Sequence, residues 1–441
     1  MAQFEVQEFV DRQPFRRPHL VVAAIALLAL FIDGFDIFMV GKIAPAIADG
    51  FQVSPDQLTL VFVLQQAGLA IGSFVVSPLY DLYGRKRLLV ISFVAFGLLT
   101  IAGAFAQSIE QLAVLRGVAG LFLAGVVPAA LALVSEVTPL RNRSTVVGLA
   151  QAGYSAGNAM GASLAFLVPT IGWEGAFWIG GLLALVLAPF LAIFLHESIS
   201  YLVARRPGDP RIVQTLQRLD PDLVLDGTED FVVPNTRSGK SPTLMEVFSN
   251  GRAMPTFVIW LCYLLSMGNI ALLASWLPTY YNTMAGVSIQ DFAVVLIVAM
   301  IGGLAGISTV GFLMDRIPPL WLVAGYYGGN AAALILLGQT PFGGPLFTAL
   351  LVAFAFFQSG GQGGLNVLLT QFYPPSVRST GLGWAGGVGR LGGVALPALG
   401  GLALTYSLSL EWTLTAIAIA PLLIMLLLVL VLRPIYVEAT N

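Results

Sequence analysis

Asp33 and Asp36 lie inside an apolar run that extends from about Leu20 to Ile43, in the segment Phe31-Ile32-Asp33-Gly34-Phe35-Asp36. Arg116 and Arg390 lie in two further apolar stretches. A charged side chain near a bilayer centre costs about 2.5–3.5 kcal/mol on insertion scales, so such groups face a water-filled cavity or an opposite charge. Residues three apart share one face of a helix, which places the two carboxylates together. A carboxylate in such surroundings takes up or releases a proton as a neighbouring cation comes or goes. A guanidinium can grip an anionic ligand's carboxylate through two parallel hydrogen bonds. The structural alternatives are helix packing with a snorkelling side chain for Arg116 and a salt bridge to Asp33 or Asp36 for Arg390.

Polar and aromatic residues recur at helical spacing around these charges. Gln151, Tyr154 and Asn158 share one face, as do Asn269, Trp276 and Tyr280, and Gln358, Gln362 and Asn366. Trp384, Phe35 and Phe38 add aromatic surface. Amides and rings together suit a flat ligand bearing hydroxyls, and any one of them can equally serve helix–helix contact.

The elements that carry these residues must be membrane spans. Hydrophobic residues make up 57% of the 441 positions, charged ones 10%, and mean hydropathy is +0.87. A soluble domain carries about 25% charged residues, so the composition is that of an integral membrane protein. Runs long enough to cross a bilayer, about 20 residues each, fall near 20–43, 57–80, 87–106, 111–135, 144–168 and 174–195. Six more fall near 254–281, 289–313, 319–338, 343–370, 379–404 and 411–433. With residues 1–19 placed in the cytoplasm, 18 of the 21 basic residues fall on the inside, which predicts cytoplasmic termini (1–19 and 434–441) by the positive-inside rule. The N-terminal segment has no signal-peptide pattern.

The chain also repeats itself. Glu136-Val-Thr-Pro139-Leu-Arg-Asn-Arg143-Ser-Thr-Val-Val-Gly148 matches Gln371-Phe-Tyr-Pro374-Pro-Ser-Val-Arg378-Ser-Thr-Gly-Leu-Gly383 at an offset of 235, and Asp81 matches Asp315 at 234. Two matches at nearly one offset predict duplication: bundles at 20–195 and 254–433, joined by a cytoplasmic linker at 196–253, with a site between the halves as in transporters. The central charges are not duplicated. By offset, Asp33 and Asp36 correspond to Gly268 and Ala271, Arg116 to Leu351 and Arg390 to Ser155.

Asp81-Leu-Tyr-Gly84-Arg85-Lys86-Arg87, with Ser77 in place of a usual Gly, resembles the signature loop of the major facilitator superfamily. Arg116-Gly-Val-Ala-Gly120 resembles that superfamily's span-4 motif, with Ala119 replacing a usual Gln. Asp33-Gly-Phe-Asp36, with Gly389-Arg390-Leu-Gly392 and Pro397, is similar to the aromatic acid:proton symporter family. The resemblance implies an all-α membrane protein of twelve transmembrane helices in two pseudo-symmetric six-helix bundles. It implies that Asp36 and Arg116, assisted by Asp33, couple protons, while the forked guanidinium makes Arg390 the candidate to bind an anionic substrate. It further implies a cytoplasmic gate of Asp81, Gly84, Arg85, Lys86, Glu136 and Arg143, with Asp315, Arg316 and Arg378 in the second half. The alternative is a set of solvated loop charges.

No cofactor, metal or nucleotide site is expected. There is one cysteine, no His-Glu-x-x-His and no phosphate-binding Gly-x-x-x-x-Gly-Lys-Ser/Thr loop. The net charge of −2 gives no reason to expect nucleic acid. The reading is therefore a monomeric transporter of a bacterial inner membrane, not an enzyme, taking up a hydroxybenzoate-like carboxylate with protons. A sugar-acid symporter uses the same logic. A drug:proton antiporter fits less well, because Gly153, Gly157 and Gly161 lack the proline of that signature. A sensing receptor would look the same in sequence.

Overall fold

The computed structural model of the chain describes residues 3–206, 208–220, 223, 230–232, 244–249, 251–314, 316–373 and 377–432. The first half comprises α1 (Val6–Arg12), α2 (Arg17–Lys42), α3 (Ala44–Phe51), α4 (Thr59–Val75), α5 (Ser77–Tyr83), α6 (Arg85–Gly103), α7 (Ile109–Leu123), α8 (Val126–Val137) and α9 (Leu140–Phe194). The linker holds α10 (Ile199–Arg205), α11 (Pro210–Leu219) and α12 (Leu244–Val247). The second half comprises α13 (Ala253–Ala285), α14 (Ile289–Leu313), α15 (Pro319–Gln339), α16 (Pro345–Phe372), α17 (Arg378–Thr405), α18 (Leu410–Ile417) and α19 (Ile419–Leu426).

Among the described residues, 11 helical stretches are long and apolar enough to cross a membrane. One of them, α9, is 55 residues long. At 1.5 Å per residue it would reach about 80 Å, well beyond the ~30 Å hydrocarbon core. Gly172 resolves the excess: its φ of +70° is non-helical and splits α9 into two spans. Only a residue without Cβ takes up that conformation freely. The twelve spans expected from the sequence are therefore present. The second is bent between α4 and α5, and the fourth between α7 and α8.

The duplication reappears in the packing. A Cβ on Gly68 or Gly72 would strike the backbone of Gly117 or Leu121, where α4 meets α7. A Cβ on Gly302 or Gly306 would strike Val352 or Phe356, where α14 meets α16. Small residues that let backbones meet are the usual glue of membrane helices, and here they recur at the offset of the sequence repeat.

The halves meet mainly at the end opposite the Asp81–Arg87 turn, hereafter the far end. There Ile43, Ala44 and Ile47 share one apolar core with Leu272, Leu273 and Trp276. Gln290 Nε2 donates to the Ala165 carbonyl at 3.0 Å, and Thr405 Oγ1 to Asp56 Oδ2 at 3.3 Å. At the other end, the loop end, every ion pair among the described residues stays within the first half and its linker.

Besides the linker helices α10, α11 and α12, β1 (Gln3–Glu5) pairs in parallel with β2 (Asp230–Val232). Val6, Leu202, Ile212 and Leu216 form a small core of their own under this pair. His196, between α9 and α10, leaves Nε2 buried without a partner among the described residues. Burial, with Arg218 and Lys86 adding to it, lowers its imidazole to about 4.

Candidate functional site

Span 1 (α2) carries the acidic residues, because packing against the first part of α9 brings their face inward. A Cβ on Gly34 would strike the Tyr154 carbonyl, and one on Gly157 that of Phe31, so both glycines are needed for this approach. Asp36 is thereby presented to Arg116 of α7, and both side chains are fully buried. Arg116 Nη2 donates to Asp36 Oδ2 at 2.8 Å and Nη1 to Oδ1 at 3.2 Å. Nη2 also reaches the Asp36 carbonyl at 2.9 Å. Arg116 Nε donates to Gln65 Oε1 at 3.2 Å, and Thr100 Oγ1 to Asp36 Oδ1 at 2.9 Å. Gln65 Nε2 in turn donates to the Ile37 carbonyl at 2.7 Å. The pair is a closed, fully hydrogen-bonded unit. Beside it a cavity of about 10 Å³, lined by Ile37, Phe38, Gln65, Gln66, Ala271 and Ser275 among others, marks the boundary between the halves.

Asp33 stands in contrast. Its side chain is fully buried, and neither carboxyl oxygen has a hydrogen-bond partner among the described residues. Arg390 and Tyr154 lie within electrostatic reach of it. Arg390 makes no ion pair with a described residue. Its Nη1 donates to the Leu69 carbonyl at 3.2 Å, across the boundary between the halves. An ionised carboxylate left without partners inside a protein costs several kcal/mol. Asp33 and Arg390 are therefore the two charged side chains here without an ion-pair partner among the described residues.

The remaining expected residues divide by location. Tyr154 packs edge-on to Phe38, with centroids 5.8 Å apart. Gln151 is exposed, and Asn158 keeps a buried oxygen without a partner among the described residues. Phe35 is buried in the far-end core. In the second half a hydrogen-bonded chain runs from Tyr327 through Ser266 to Gln362 (2.6 Å each) and on to Asn366 at 3.0 Å. Tyr263 Oη also donates to Asn366, at 2.5 Å. Gln358 accepts from Asn330 at 2.9 Å and from Asn269 at 3.3 Å. Trp276 and Tyr280 are fully buried, and their donors go to the carbonyls of Pro397 (2.9 Å) and Gly400 (2.7 Å), so in this state both serve α13–α17 packing. Trp384 is 42% exposed and stacks on Trp260.

At the loop end Arg85 bridges Asp81 and Glu136, and Ser198 Oγ donates to Glu136 at 2.6 Å. Gly84 has φ +104° at the start of α6 and faces the Glu197 carboxylate, which accepts from the Lys86 backbone N–H at 3.0 Å. Arg143 pairs with Asp11 and donates to the Thr138 carbonyl. Its repeat counterpart Arg378 donates likewise, to the carbonyl of Tyr373 at 3.1 Å. Arg316 lies over the Phe312 ring, 3.9 Å from its centroid. Asp315 lies outside the described residues.

Gln65, Thr100, Tyr263 and Glu197 were not singled out in the sequence. Gln65 and Gln66 form an amide pair inside an apolar span, and the cost argument that flagged Asp33 applies to them. Thr100 carries no such signal.

The sequence profile of the Major Facilitator Superfamily matches residues 26–395. The gallate transporter of Pseudomonas putida is 32% identical over 95% of this chain and 93% of its own. The 4-hydroxybenzoate transporter PcaK of Acinetobacter baylyi is 31% identical, covering 89% and 86%. The 3-(3-hydroxy-phenyl)propionate transporter of Escherichia coli is 30% identical, covering 87% and 86%. Among solved structures, a bacterial homologue of the human lysosomal transporter Spinster, inward-facing and unoccupied, superposes with a TM-score of 0.67. It is 17% identical and covers 95% of this chain and 96% of its own, a likeness of fold alone. The chain belongs to the Major Facilitator Superfamily: it is a multi-pass membrane transporter, not an enzyme.

Proposed function

We propose that this protein imports a small aromatic carboxylate, hydroxybenzoate-like, together with protons across a bacterial inner membrane by alternating access. Its loop end and termini lie in the cytoplasm. The observation that carries the reading is the unsatisfied pair at the boundary between the halves. Asp33 has no hydrogen-bond partner, and Arg390 has no ion pair among the described residues. A substrate carboxylate supplies the anion Arg390 lacks, through a two-pronged contact. A proton supplies what Asp33 lacks. When the substrate leaves, Arg390 is free to draw Asp33 into its ionised form, which releases the proton on the side then open. Asp36 and Arg116 are already satisfied and hold span 1 in register for this exchange.

The relatives named for gallate, 4-hydroxybenzoate and 3-(3-hydroxy-phenyl)propionate support a ring bearing both carboxylate and hydroxyl. Tyr263, Gln362 and Asn366 offer amide and hydroxyl groups to such hydroxyls. The far-end packing, with loop-end ion pairs confined to one half, fits a state open toward the cytoplasm, and breaking and re-forming such contacts is what a two-state gate requires. The test is uptake of labelled 4-hydroxybenzoate into proteoliposomes with an imposed pH gradient, acid outside. Accumulation above the external concentration, abolished by a protonophore and competed by benzoate but not by gluconate, is expected. Equilibration unaffected by the gradient overturns proton coupling, and competition by gluconate alone overturns the aromatic assignment.

A further inference from the structure

Lys42 is the last residue of α2 and is 7% exposed. Its neighbours Val40, Ile43 and Ala44 belong to the apolar core that joins the two halves at the far end. Gly41 beside it lies so close to Ala274 and Ser275 of α13 that a Cβ would not fit. The ammonium is therefore carried into the seam that closes the far end. Among the described residues it has no ion pair and no hydrogen bond. None of the far-end carboxylates Asp49, Asp56, Glu110, Glu174, Asp291 and Glu411 forms an ion pair with it. Partial negative charge at the carbonyl end of α2 offsets only a fraction of what the ammonium loses with its water.

We infer that Lys42 is a carboxylate-capture site at the far-end mouth, used before the substrate reaches Arg390. When the seam parts, the ammonium is uncovered with no internal counter-charge, so an arriving organic carboxylate is the anion that meets it. A positive charge at a narrow low-dielectric mouth concentrates anions and speeds their arrival, an effect that salt weakens. When the seam closes, Lys42 is largely withdrawn from water, with 7% of its surface left exposed. The anion has then moved inward, where Arg390 offers a planar fork rather than a point charge. Capture and tight binding are thus assigned to different residues, and the absence of an acidic partner for Lys42 is what keeps it available.

The inference rests on the import reading above, and the experiment separates the two. Initial rates of 4-hydroxybenzoate uptake, and of gluconate uptake should the aromatic acid not be accumulated, are measured for wild type, Lys42→Gln, Lys42→Met and Lys42→Arg at several ionic strengths. Wild type is expected to lose uptake efficiency at low substrate as salt rises. Lys42→Gln and Lys42→Met should show KM raised several-fold with maximal rate kept, and no salt dependence. Lys42→Arg should retain wild-type behaviour, and Kd for the same acid in detergent should be unchanged in all three, because Arg390 is intact. Melting of Lys42→Met gives a readout independent of substrate: removing an uncompensated buried charge should leave stability equal or higher, and a fall shows a partner and overturns the premise. Unchanged KM and salt dependence in Lys42→Gln overturn capture while leaving the import reading standing. A wild type that accumulates neither acid overturns the import reading, and capture with it.

Discussion

Asp33 and Asp36 stand three residues apart in α2, both fully buried, and only one of them is satisfied. Asp36 accepts two parallel hydrogen bonds from Arg116 at 2.8 and 3.2 Å and a third from Thr100 at 2.9 Å. Asp33 accepts none. Two carboxylates that look equivalent in sequence therefore stand in different surroundings: one is tied to Arg116 and Thr100, and the other has no hydrogen-bond partner among the described residues. Removing each should have opposite consequences.

Asp36→Asn is expected to destabilise the protein strongly, because it leaves the Arg116 guanidinium buried without its counter-charge. Breaking a buried pair by removing one partner costs about 3–5 kcal/mol. Adding Arg116→Gln should recover part of that loss, since no lone charge then remains. Unfolding in detergent, run as a double-mutant cycle, measures this coupling. Additive losses would mean that the two residues do not support each other.

The fold was legible because its signals are long-range and redundant. Spans of about 20 apolar residues and a duplicated Pro–Arg–Ser–Thr motif need no side-chain detail. The break at Gly172 falls in the gap the sequence leaves between the runs 144–168 and 174–195, but its backbone geometry was hidden, since one residue of positive φ leaves hydropathy unchanged. The short strand Gln3–Glu5 was likewise hidden, because its partner Asp230–Val232 lies more than two hundred residues away. At the site, charge in an apolar run pointed to Asp33, Asp36, Arg116 and Arg390. It could not tell which carboxylate Arg116 would take, because that depends on where α7 crosses α2. Helical spacing grouped Trp276 and Tyr280 with the site, yet their donors are used by the carbonyls of Pro397 and Gly400.

Asp33→Asn has no hydrogen bond to break and should leave stability unchanged or raise it. It removes the group that can gain and lose a proton, so accumulation driven by a pH gradient should be abolished while exchange of labelled for unlabelled substrate persists. Uptake and counterflow in the same vesicles check both halves of the statement. Gradient-driven accumulation at the wild-type level would remove Asp33 from coupling.

His196 gives the linker a dependence on pH. Its imidazole is lowered from 6.5 to about 4, first by burial and then by Arg218 and Lys86. Between those two values the unfolded chain holds a proton on this residue that the folded chain does not. The folded state therefore loses stability as pH falls from about 6.5 toward 4, and the contribution is fully present above 6.5. His196→Gln should flatten that part of the melting-temperature profile. An unchanged slope between pH 7 and 4 would assign the dependence to other groups.

Arg390 carries the substrate assignment. Its guanidinium donates across the boundary to the Leu69 carbonyl, and no described carboxylate pairs with it. A charged hydrogen bond contributes about 1.5–3 kcal/mol, so the loss of even one of the two prongs in Arg390→Ala should weaken binding of 4-hydroxybenzoate by at least roughly 10- to 150-fold, each 1.4 kcal/mol being a factor of ten. Arg390→Lys keeps the charge and loses the fork, and should fall between wild type and alanine. The matching uncharged amide, 4-hydroxybenzamide, should bind wild type weakly and be nearly indifferent to either substitution. Isothermal titration of the acid and the amide against all three proteins separates the carboxylate contact from ring contacts. Equal binding of acid and amide by wild type, or wild-type binding of the acid by Arg390→Ala, would make Arg390 a structural tie between the halves and move the anion site elsewhere.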